Sequence, residues 1–419
     1  MSDKFNTIIN SEIGELEGVI IHTPSHEIEN MTPGNAERAL YSDILNLSIA
    51  SSEYSQFKSV LKKHTKTFEV KDLLTDILLN EKVKHNLIDK ICKDENKFNL
   101  KNKLLSLNPK ELTTQLIEGI IMDKNTLTNY LNKDRFSLKP LHNFFFTRDA
   151  SVSIFNNVFI SKMANKIRER ESIIMEAIFD YHPFFNTKTI NPLNFKSAPE
   201  LTFEGGDVLV ARDDILIIGQ GTRTNSQGID FIIDKIKENK EKKHIIVQEL
   251  PYSPESFIHL DMVFTFLDVD KCMVYSPLIM KSNRFLTIHI TVDNGKVVSI
   301  KKEKNIPEAL RKIGMDIKTI SCGGEKDLYI QEREQWHSGA NFFALSPGKI
   351  IGYGRNQYTI EELNKNGFEI INAKDIIKNK VDIKKYDKYV VTIDGSELSR
   401  GGGGCRCMTM PVKRKTVKW

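Results

Sequence analysis

The sequence predicts an α/β fold in which ββαβ-type units repeat around a common axis. Three times, an apolar strand, a short polar turn and a second apolar strand are followed by an arginine and a helix-like segment. A fourth apolar hairpin lacks the arginine, and one stretch with helical periodicity interrupts the repeats. Such units stack on one another, because each unit alone leaves one face of its sheet exposed. The strand ends and loops then point into a central cleft, where we expect the chemistry.

Each predicted hairpin turns at residues that tolerate a tight or left-handed backbone. The turns are Asn156 and Asn157 in residues 151–162, Asp213 and Asp214 in residues 207–219, and Pro347 and Gly348 in residues 342–354; the fourth hairpin spans 262–277. Arg168, Arg223 and Arg355 follow the first three hairpins. Strands at 244–250 and 368–373 are predicted to close two of the units.

Residues 73–139 are predicted to form an inserted helical domain. From Val83 to Ile91, apolar residues recur at the spacing of one helix face, and the pattern returns from Leu112 to Ile120. Asn108 followed by Pro109 is typical of a helix N-terminus. We therefore expect a catalytic repeat region at 1–72 and 140–419, and a helical domain at 73–139 that packs without contributing chemistry.

The composition excludes several classes of protein. Apolar residues make up 40% and charged residues 27% of the 419 residues, as in a globular protein, and no apolar run could span a bilayer. The N-terminus lacks the apolar stretch of a signal peptide, so a cytoplasmic protein without a membrane partner is expected. The five cysteines show no zinc-type spacing, so neither a metal site nor a disulfide framework is expected. The basic run at 413–415 is expected to be a solvated tail, not a nucleic-acid site.

Four short segments do not fit the predicted alternation of strands and helices. They are HNFFFTRDAS with Asn143, Phe146 and Asp149; LTFEGGDVLV with Glu204; FIHLDMVF with His259 and Asp261; and GGGGCRCMTMP with Gly401, Cys405 and Cys407. Each segment alone has an ordinary interpretation, such as a polar turn, a buried histidine or a turn cap. In a strand, residues i and i+2 share a face, so His259 and Asp261 are expected to point into the same space.

Taken together, these segments favour a cationic substrate and a cysteine nucleophile. A thiolate attacks where a thiol does not, and a bound cation would favour the thiolate. Two carboxylates can hold a planar guanidinium through paired hydrogen bonds, and Arg168 and Arg223 could clamp a carboxylate. The implied ligand carries a guanidinium at one end and a carboxylate at the other.

At this point the chain resembles the arginine deiminases of the guanidine-modifying, or pentein, superfamily. The resemblance runs nearly end to end, through SEIGELEGVIIHTPSHEIENMTP, FTRD, EGGD, HLD, EREQW, IGYGRN and SELSRGGGGCRCMTMP in that order. It implies a five-fold pseudosymmetric α/β propeller with a helical insert. The number five comes from the family, since the hairpins alone give four units and GVIIHTP indicates a strand of another.

The resemblance also implies roles for individual residues. Cys407 fits the family's C-M-x-x-P setting and is the implied nucleophile, whereas Cys405 occupies a variable position. His259 is the implied general acid and base, Asp149 and Asp261 hold the guanidinium, and Glu204 lies near the histidine. Asn143, Arg168 and Arg223 bind the α-carboxylate end, Phe146 forms an aromatic wall, and Gly401 is a further substrate-binding residue. The family commonly has an arginine in place of Gly402 and reads F-D-D where this chain has Tyr41, Ser42 and Asp43.

The implied function is hydrolysis of free L-arginine to L-citrulline and ammonia through a covalent thiouronium on cysteine. The resemblance implies no metal or organic cofactor and a homodimer or higher homo-oligomer. Two alternatives stay open at this stage. An amidinotransferase of the same superfamily would pass the amidino group to an amine, and a catalytically silent protein would only bind guanidinium compounds.

Overall fold

The computed structural model describes residues 4–32, 43–195 and 200–419, and within them five sheets share one strand order. In each sheet the second strand pairs antiparallel with the first and parallel with the third. The predicted five-fold α/β propeller of ββαβ-type units is thereby confirmed. The three shared strands are, in unit 1, Met410–Arg414, Leu16–Ile21 and Lys66–Glu69; in unit 2, Ser151–Ile154, Asn157–Ile160 and Lys188–Ile190; in unit 3, Val208–Arg212, Ile215–Gln220 and Lys243–Glu249; in unit 4, Phe264–Asp268, Lys271–Val274 and Lys318–Ser321; and in unit 5, Phe343–Ser346, Lys349–Tyr353 and Tyr389–Ile393.

Unit 1 joins the two ends of the chain. Its first strand, Met410–Arg414, pairs antiparallel with Leu16–Ile21, so the segment after Cys407 completes the ring. The prediction of a solvated tail at 413–415 is wrong, because Lys413 and Arg414 belong to this strand and Arg414 is buried. Its guanidinium donates to the carbonyl oxygens of Gly14 at 2.7 Å and Ala344 at 2.8 Å.

Helices connect the second and third strands of the units. Several of them begin at asparagine caps, including Asn46 and Asn225, whose side chains accept from backbone N–H groups that would otherwise lack a partner. The helices span His26–Glu29, Leu47–His64, Val70–Ile77, Glu81–Asp94, Lys101–Leu105, Pro109–Glu118, Leu127–Leu131, Glu169–Tyr181, Ser226–Ile236, Ser276–Ile279, Ile306–Lys312, Leu328–Trp336, Gln357–Lys365 and Ala373–Ile377. The further strands are Phe5–Asn6, Ile120–Ile121, Phe136–Leu138, Phe185–Asn186, Thr287–Asp293, Lys296–Glu303 and Glu369–Asn372.

Two local predictions need correction. The hairpin of unit 2 turns at Phe155 and Asn156, and Asn157 already belongs to the second strand. Phe155 adopts a φ of 56° because Ile9 pairs with its backbone N–H and C=O. In unit 5 the expected closing strand at 368–373 lies at the sheet edge as Glu369–Asn372, and the wholly buried Tyr389–Ile393 takes the central place.

The segment predicted as a helical insert, 73–139, packs against unit 2. Helix Val70–Ile77, which begins just before this segment, shares one hydrophobic cluster with helices Glu81–Asp94 and Pro109–Glu118 and with helix Glu169–Tyr181 of unit 2. Asn108 caps helix Pro109–Glu118 with a capping box, as its sequence position indicates. Across the described residues, no helix combines the length and apolar character needed to cross a membrane.

Candidate active site

The turn that precedes the first strand of each unit points toward one centre. Cys407, Asp149, Glu204 and Asp261 each stand two to four residues before the first strand of units 1, 2, 3 and 4. All four side chains are buried. The pseudosymmetry of the propeller therefore brings together residues that are up to 258 positions apart in the chain, as the separation of Asp149 and Cys407 shows.

His259 lies among carboxylates. Its Nε2 is 3.0 Å from Oε2 of Glu204, and its Nδ1 is 3.7 Å from Oδ1 of Asp149. Burial lowers the pKa of His259, but the carboxylates of Asp149, Glu204 and Asp207 outweigh it and raise the pKa to about 9. The imidazole is therefore protonated at neutral pH and can donate a proton.

The strand expected around His259 and Asp261 is not formed. His259 is extended, and Leu260–Met262 forms a single 3₁₀ turn. The turn is fixed by Asp207, whose Oδ1 accepts from the backbone N–H of Leu260 at 2.9 Å. Gly206 leaves the space that the imidazole needs, because a Cβ there would lie 2.6 Å from the ring.

Cys407 faces the carboxylate of Asp261. Its Sγ lies 3.6 Å from Oδ2 and 3.9 Å from Oδ1 of Asp261. Burial and the charges of Asp261 and Asp149 raise the pKa of the Cys407 thiol well above its usual range. The site without substrate therefore holds a neutral thiol, and an added cation would offset the two carboxylates that oppose ionisation.

Eight of the ten predicted site residues line one small cavity. Its volume is about 20 Å³, room for roughly one water molecule. A larger cavity of about 330 Å³ adjoins it, and the two share Arg223, Ile258 and Gly402 as wall residues. Glu204 and Asp261 stand behind this lining, in contact with His259 and Cys407. The eight are Asn143, Phe146, Asp149, Arg168, Arg223, His259, Gly401 and Cys407.

The guanidinium of Arg168 is paired with two carboxylates. It lies 2.8 Å from Oδ2 of Asp149 and 2.8 Å from Oε2 of Glu171, one helical turn further on. Arg223 differs, since its Nη1 is 3.5 Å from Oε1 of Glu204 and forms no hydrogen bond within the described residues. Arg223 thus has a donor left for a ligand.

Asp149, Glu204 and His259 place potential metal-ligand atoms within 4.8 Å of one another. The cations of Arg168 and Arg223 already lie against these same carboxylates, and His259 is protonated at neutral pH. A metal ion would have to displace these charges. The arrangement therefore suits hydrogen bonding to an organic cation better than it suits a metal.

Arg406 holds the carboxylate of Asp261 that Cys407 contacts. Its Nη1 lies 2.8 Å from Oδ2 of Asp261, and its Nε lies 2.9 Å from Oε2 of Glu12. Burial raises the pKa of Glu12, but Arg406 outweighs it and lowers the pKa to about 2. Asp207, Glu12 and Arg406 were all missed as functional candidates, because each resembles an ordinary polar residue in the sequence and its contacts form only in the folded chain.

The glycine run before the cysteines is required by close packing at two positions and by a left-handed backbone at a third. Gly402 adopts a φ of +83°, which favours glycine. A Cβ on Gly403 would lie 2.6 Å from the ring of Phe146, and one on Gly404 would lie 2.6 Å from Asn341. Cys405, two residues before the nucleophile candidate, is buried and lacks exposure to solvent.

The two glycines predict different mutational effects. Gly404→Ala should destabilise the fold by about 1–3 kcal/mol, because buried atoms must shift, and should also slow catalysis by moving the loop of Cys407. Gly402→Ala, with no described atom within 4 Å of the added Cβ, should cost only about 1–2 kcal/mol of backbone strain. Urea unfolding and kcat for both variants check this; equal kcat losses would contradict it.

Comparison with known proteins identifies first the class and then the family. The N-terminal domain of ArgZ, an arginine dihydrolase from the ornithine-ammonia cycle in cyanobacteria, is similar with a TM-score of 0.54 at 16% identity, over 95% of this chain and 97% of that one. A dimethylarginine dimethylaminohydrolase from Pseudomonas aeruginosa, complexed with citrulline, gives 0.51 at 14% identity, over 94% and 99%. These likenesses show the fold alone, which is the pentein α/β propeller.

The family is shown by sequence. The family model described as arginine deiminase matches residues 37–414. Relatives named arginine deiminase are 32% identical in Borrelia garinii subsp. bavariensis, 98% of each chain being covered, and 33% identical in Borreliella afzelii, with 100% of each covered. One from Bacillus cereus is 32% identical, again with 98% of each chain covered. The chain therefore belongs to the arginine deiminase family, whose members are hydrolases of a guanidino C–N bond.

Proposed function

We propose that this chain hydrolyses free L-arginine to L-citrulline and ammonia, with Cys407 as nucleophile. One observation carries the proposal: the cavity presents an unsatisfied acceptor and an unsatisfied donor. Among the described residues no hydrogen-bond donor reaches Oδ1 of Asp149, and no acceptor reaches Nη1 of Arg223. A ligand with a guanidinium and a carboxylate satisfies both groups, and buried polar groups are costly when unsatisfied.

Substrate entry requires the cavity wall to move. L-Arginine does not fit into about 20 Å³, whereas the adjoining cavity of about 330 Å³ is in the range of small-molecule sites. Gly401, Gly402 and Gly403 line the smaller cavity. We infer that the substrate enters from the larger cavity past this glycine segment.

The first half of the reaction releases ammonia. When the guanidinium lies between Asp149 and Asp261, its charge favours loss of the Cys407 proton to solvent. The thiolate forms a bond to the guanidinium carbon and gives a neutral tetrahedral adduct. His259 then protonates one NH₂ group, the C–N bond breaks, ammonia leaves, and a cationic thiouronium remains on the sulfur.

The second half consumes water. Neutral His259 takes a proton from water as its oxygen bonds to the thiouronium carbon. The C–S bond then breaks, L-citrulline forms, and the released proton converts ammonia to ammonium. Cys407 regains its proton from solvent when the product leaves. The net change is L-arginine cation plus water to L-citrulline plus ammonium, with no oxidant or reductant.

Ammonia release from L-arginine, agmatine and peptidyl-arginine tests the substrate assignment. We expect activity on L-arginine alone, because agmatine lacks the carboxylate for Arg223 and a peptide must pass the closed wall. Formation of a guanidino product from added glycine, instead of ammonia, would indicate an amidinotransferase. Binding of L-arginine without any turnover would indicate a silent binding protein.

The protonation of His259 predicts the alkaline limb of kcat/KM. That limb reports the free enzyme, so activity should fall as the pH rises through about 9, where His259 loses its proton. Glu204→Gln removes a charge that raises the pKa of His259, so the limb should move to lower pH. A limb at the same pH in both proteins would contradict the assignment of His259 as the acid.

A cytoplasmic location and a homodimer or higher homo-oligomer remain predictions. The division into a repeat region at 1–72 and 140–419 and a helical domain at 73–139 is likewise proposed. The shared hydrophobic cluster with helix Glu169–Tyr181 supports an insert that folds together with the propeller. Light scattering on the purified chain gives the oligomeric state directly.

A further inference from the structure

Unit 5 contributes the side chain of Asn341 to the centre, and this residue has no role in the proposed reaction steps. Asn341 stands two residues before Phe343–Ser346, the first strand of unit 5. This is the place from which units 1 to 4 present Cys407, Asp149, Glu204 and Asp261. Asn341 is only 1% exposed. Its position by pseudosymmetry therefore matches those of the proposed reactive groups.

Asn341 touches the sulfur of the nucleophile. Its Nδ2 lies 3.3 Å from Sγ of Cys407 and 3.1 Å from the carbonyl oxygen of Asp261. Its Oδ1 lies 2.8 Å from the backbone nitrogen of Arg406 and 3.4 Å from that of Cys407. The amide thus bridges the turn of unit 4 and the loop of unit 1, both of which carry reactive groups.

The neighbours fix which way the amide faces. A backbone N–H only donates, so the amide oxygen must face the nitrogens of Arg406 and Cys407. The NH₂ group must then face the sulfur and the carbonyl of Asp261. Gly404 makes this approach possible, because a Cβ there would lie 2.6 Å from the side chain of Asn341.

We propose that Asn341 is a catalytic residue that donates a hydrogen bond to the Cys407 sulfur and stabilises it as the attacking thiolate. The proposal rests on the proposed role of Cys407. The carboxylates of Asp261 and Asp149 oppose negative charge on the sulfur. A hydrogen-bond donor in contact with the sulfur counteracts this effect. Hydrogen bonds strengthen when the acceptor becomes charged, and this one therefore favours the thiolate over the thiol.

The test replaces the donor while keeping the acceptor. In Asn341→Asp one carboxylate oxygen can still accept from Arg406, and the other replaces the NH₂ group beside the sulfur. We expect kcat to fall about 10- to 100-fold with KM changed less than threefold. The rate of Cys407 alkylation by iodoacetamide is measured against pH by mass spectrometry of the Cys407 peptide. The midpoint of this pH profile should move by at least about one unit to higher pH.

Gln335→Glu is the matched control. Gln335 is also a buried amide, and it holds the segment before the unit 4 strand by donating to the carbonyl oxygens of Ser256 at 2.8 Å and Met262 at 3.3 Å. Its described hydrogen bonds do not include Cys407. Gln335→Glu should leave the alkylation profile of Cys407 unchanged.

Two results would overturn the proposal. One is a folded Asn341→Asp protein whose kcat stays within threefold of the parent, and the other is an alkylation profile that does not move or that moves equally in Gln335→Glu. If Asn341→Asp does not fold, Asn341→Ser decides by the same two measurements, because serine is too short to reach the sulfur. Alkylation of Cys407 needs no turnover and therefore tests this proposal by itself. Failure of the proposed function would appear separately, as a parent protein that does not release ammonia from L-arginine.

Discussion

Replacement of Cys407 by alanine is expected to abolish ammonia release from L-arginine. No other described side chain combines a nucleophilic atom with contact to Asp261 inside the cavity. Loss of a nucleophile that works together with an acid and a base costs a factor on the order of 10⁴ or more in kcat. Ammonia assays at saturating L-arginine measure this loss.

Cys405→Ala provides the control for that experiment. Cys405 is a buried thiol in the same loop, two residues before Cys407. Its described contacts belong to a hydrophobic cluster and not to the carboxylates. The variant should keep kcat within a few-fold of the parent protein. Activity that survives Cys407→Ala but is lost in Cys405→Ala would reverse the assignment of the nucleophile.

Replacement of His259 by asparagine is expected to lower kcat by about 10²- to 10⁴-fold. Asparagine can hydrogen-bond to Glu204, but it cannot give a proton to the leaving ammonia or take one from water. Both halves of the proposed reaction would therefore slow. Steady-state kcat and the single-turnover burst of ammonia measure the two halves separately.

His182→Asn is the matched control for this variant. His182 is a buried histidine beside a carboxylate, with its Nε2 3.4 Å from Oδ2 of Asp76, at the contact between the insert and unit 2. A general loss of stability from a buried histidine would affect both proteins alike. If His259→Asn keeps kcat within tenfold of the parent protein, His259 is not the general acid and base.

The sequence was informative where structure depends on nearby residues. The turn at Asp213 and Asp214 was predicted correctly from turn chemistry, and that at Pro347 and Gly348 was too. The capped helix after Asn108 was predicted from its asparagine and proline. The turn near Phe155 was missed because its geometry depends on pairing with Ile9, which lies far away in the chain.

The composition of the site needed either the family resemblance or the folded chain. Spacing alone left the choice between Cys405 and Cys407 open, and the resemblance selected the one whose sulfur faces Asp261. His259 and Asp261 were expected to share a strand face, but they lie at a 3₁₀ turn that Asp207 holds. No local pattern around His259 predicts that turn, since Asp207 belongs to a different unit.

The position of Asn341 in its unit is a signal that the sequence contains. The segments around Asp149, Asp261 and Asn341 each place a polar residue a few positions before an apolar strand. Aligning the units on those strands would have identified Asn341 as the counterpart of the acids. Its contact with the Cys407 sulfur could not be predicted, because it depends on how closely Gly404 lets the loop approach.

The covalent intermediate offers the most direct test of the central claim, that the Cys407 sulfur attacks a guanidinium held by Asp149 and Asp261. The protein would be mixed with ¹⁵N-guanidino-labelled L-arginine, quenched in acid within one turnover, digested and analysed by mass spectrometry. The account predicts an adduct on the Cys407 peptide that has lost one labelled nitrogen and disappears as L-citrulline forms. Citrulline formed at full rate with no adduct on that peptide at any quench time, or an adduct on Cys405 instead, would contradict it.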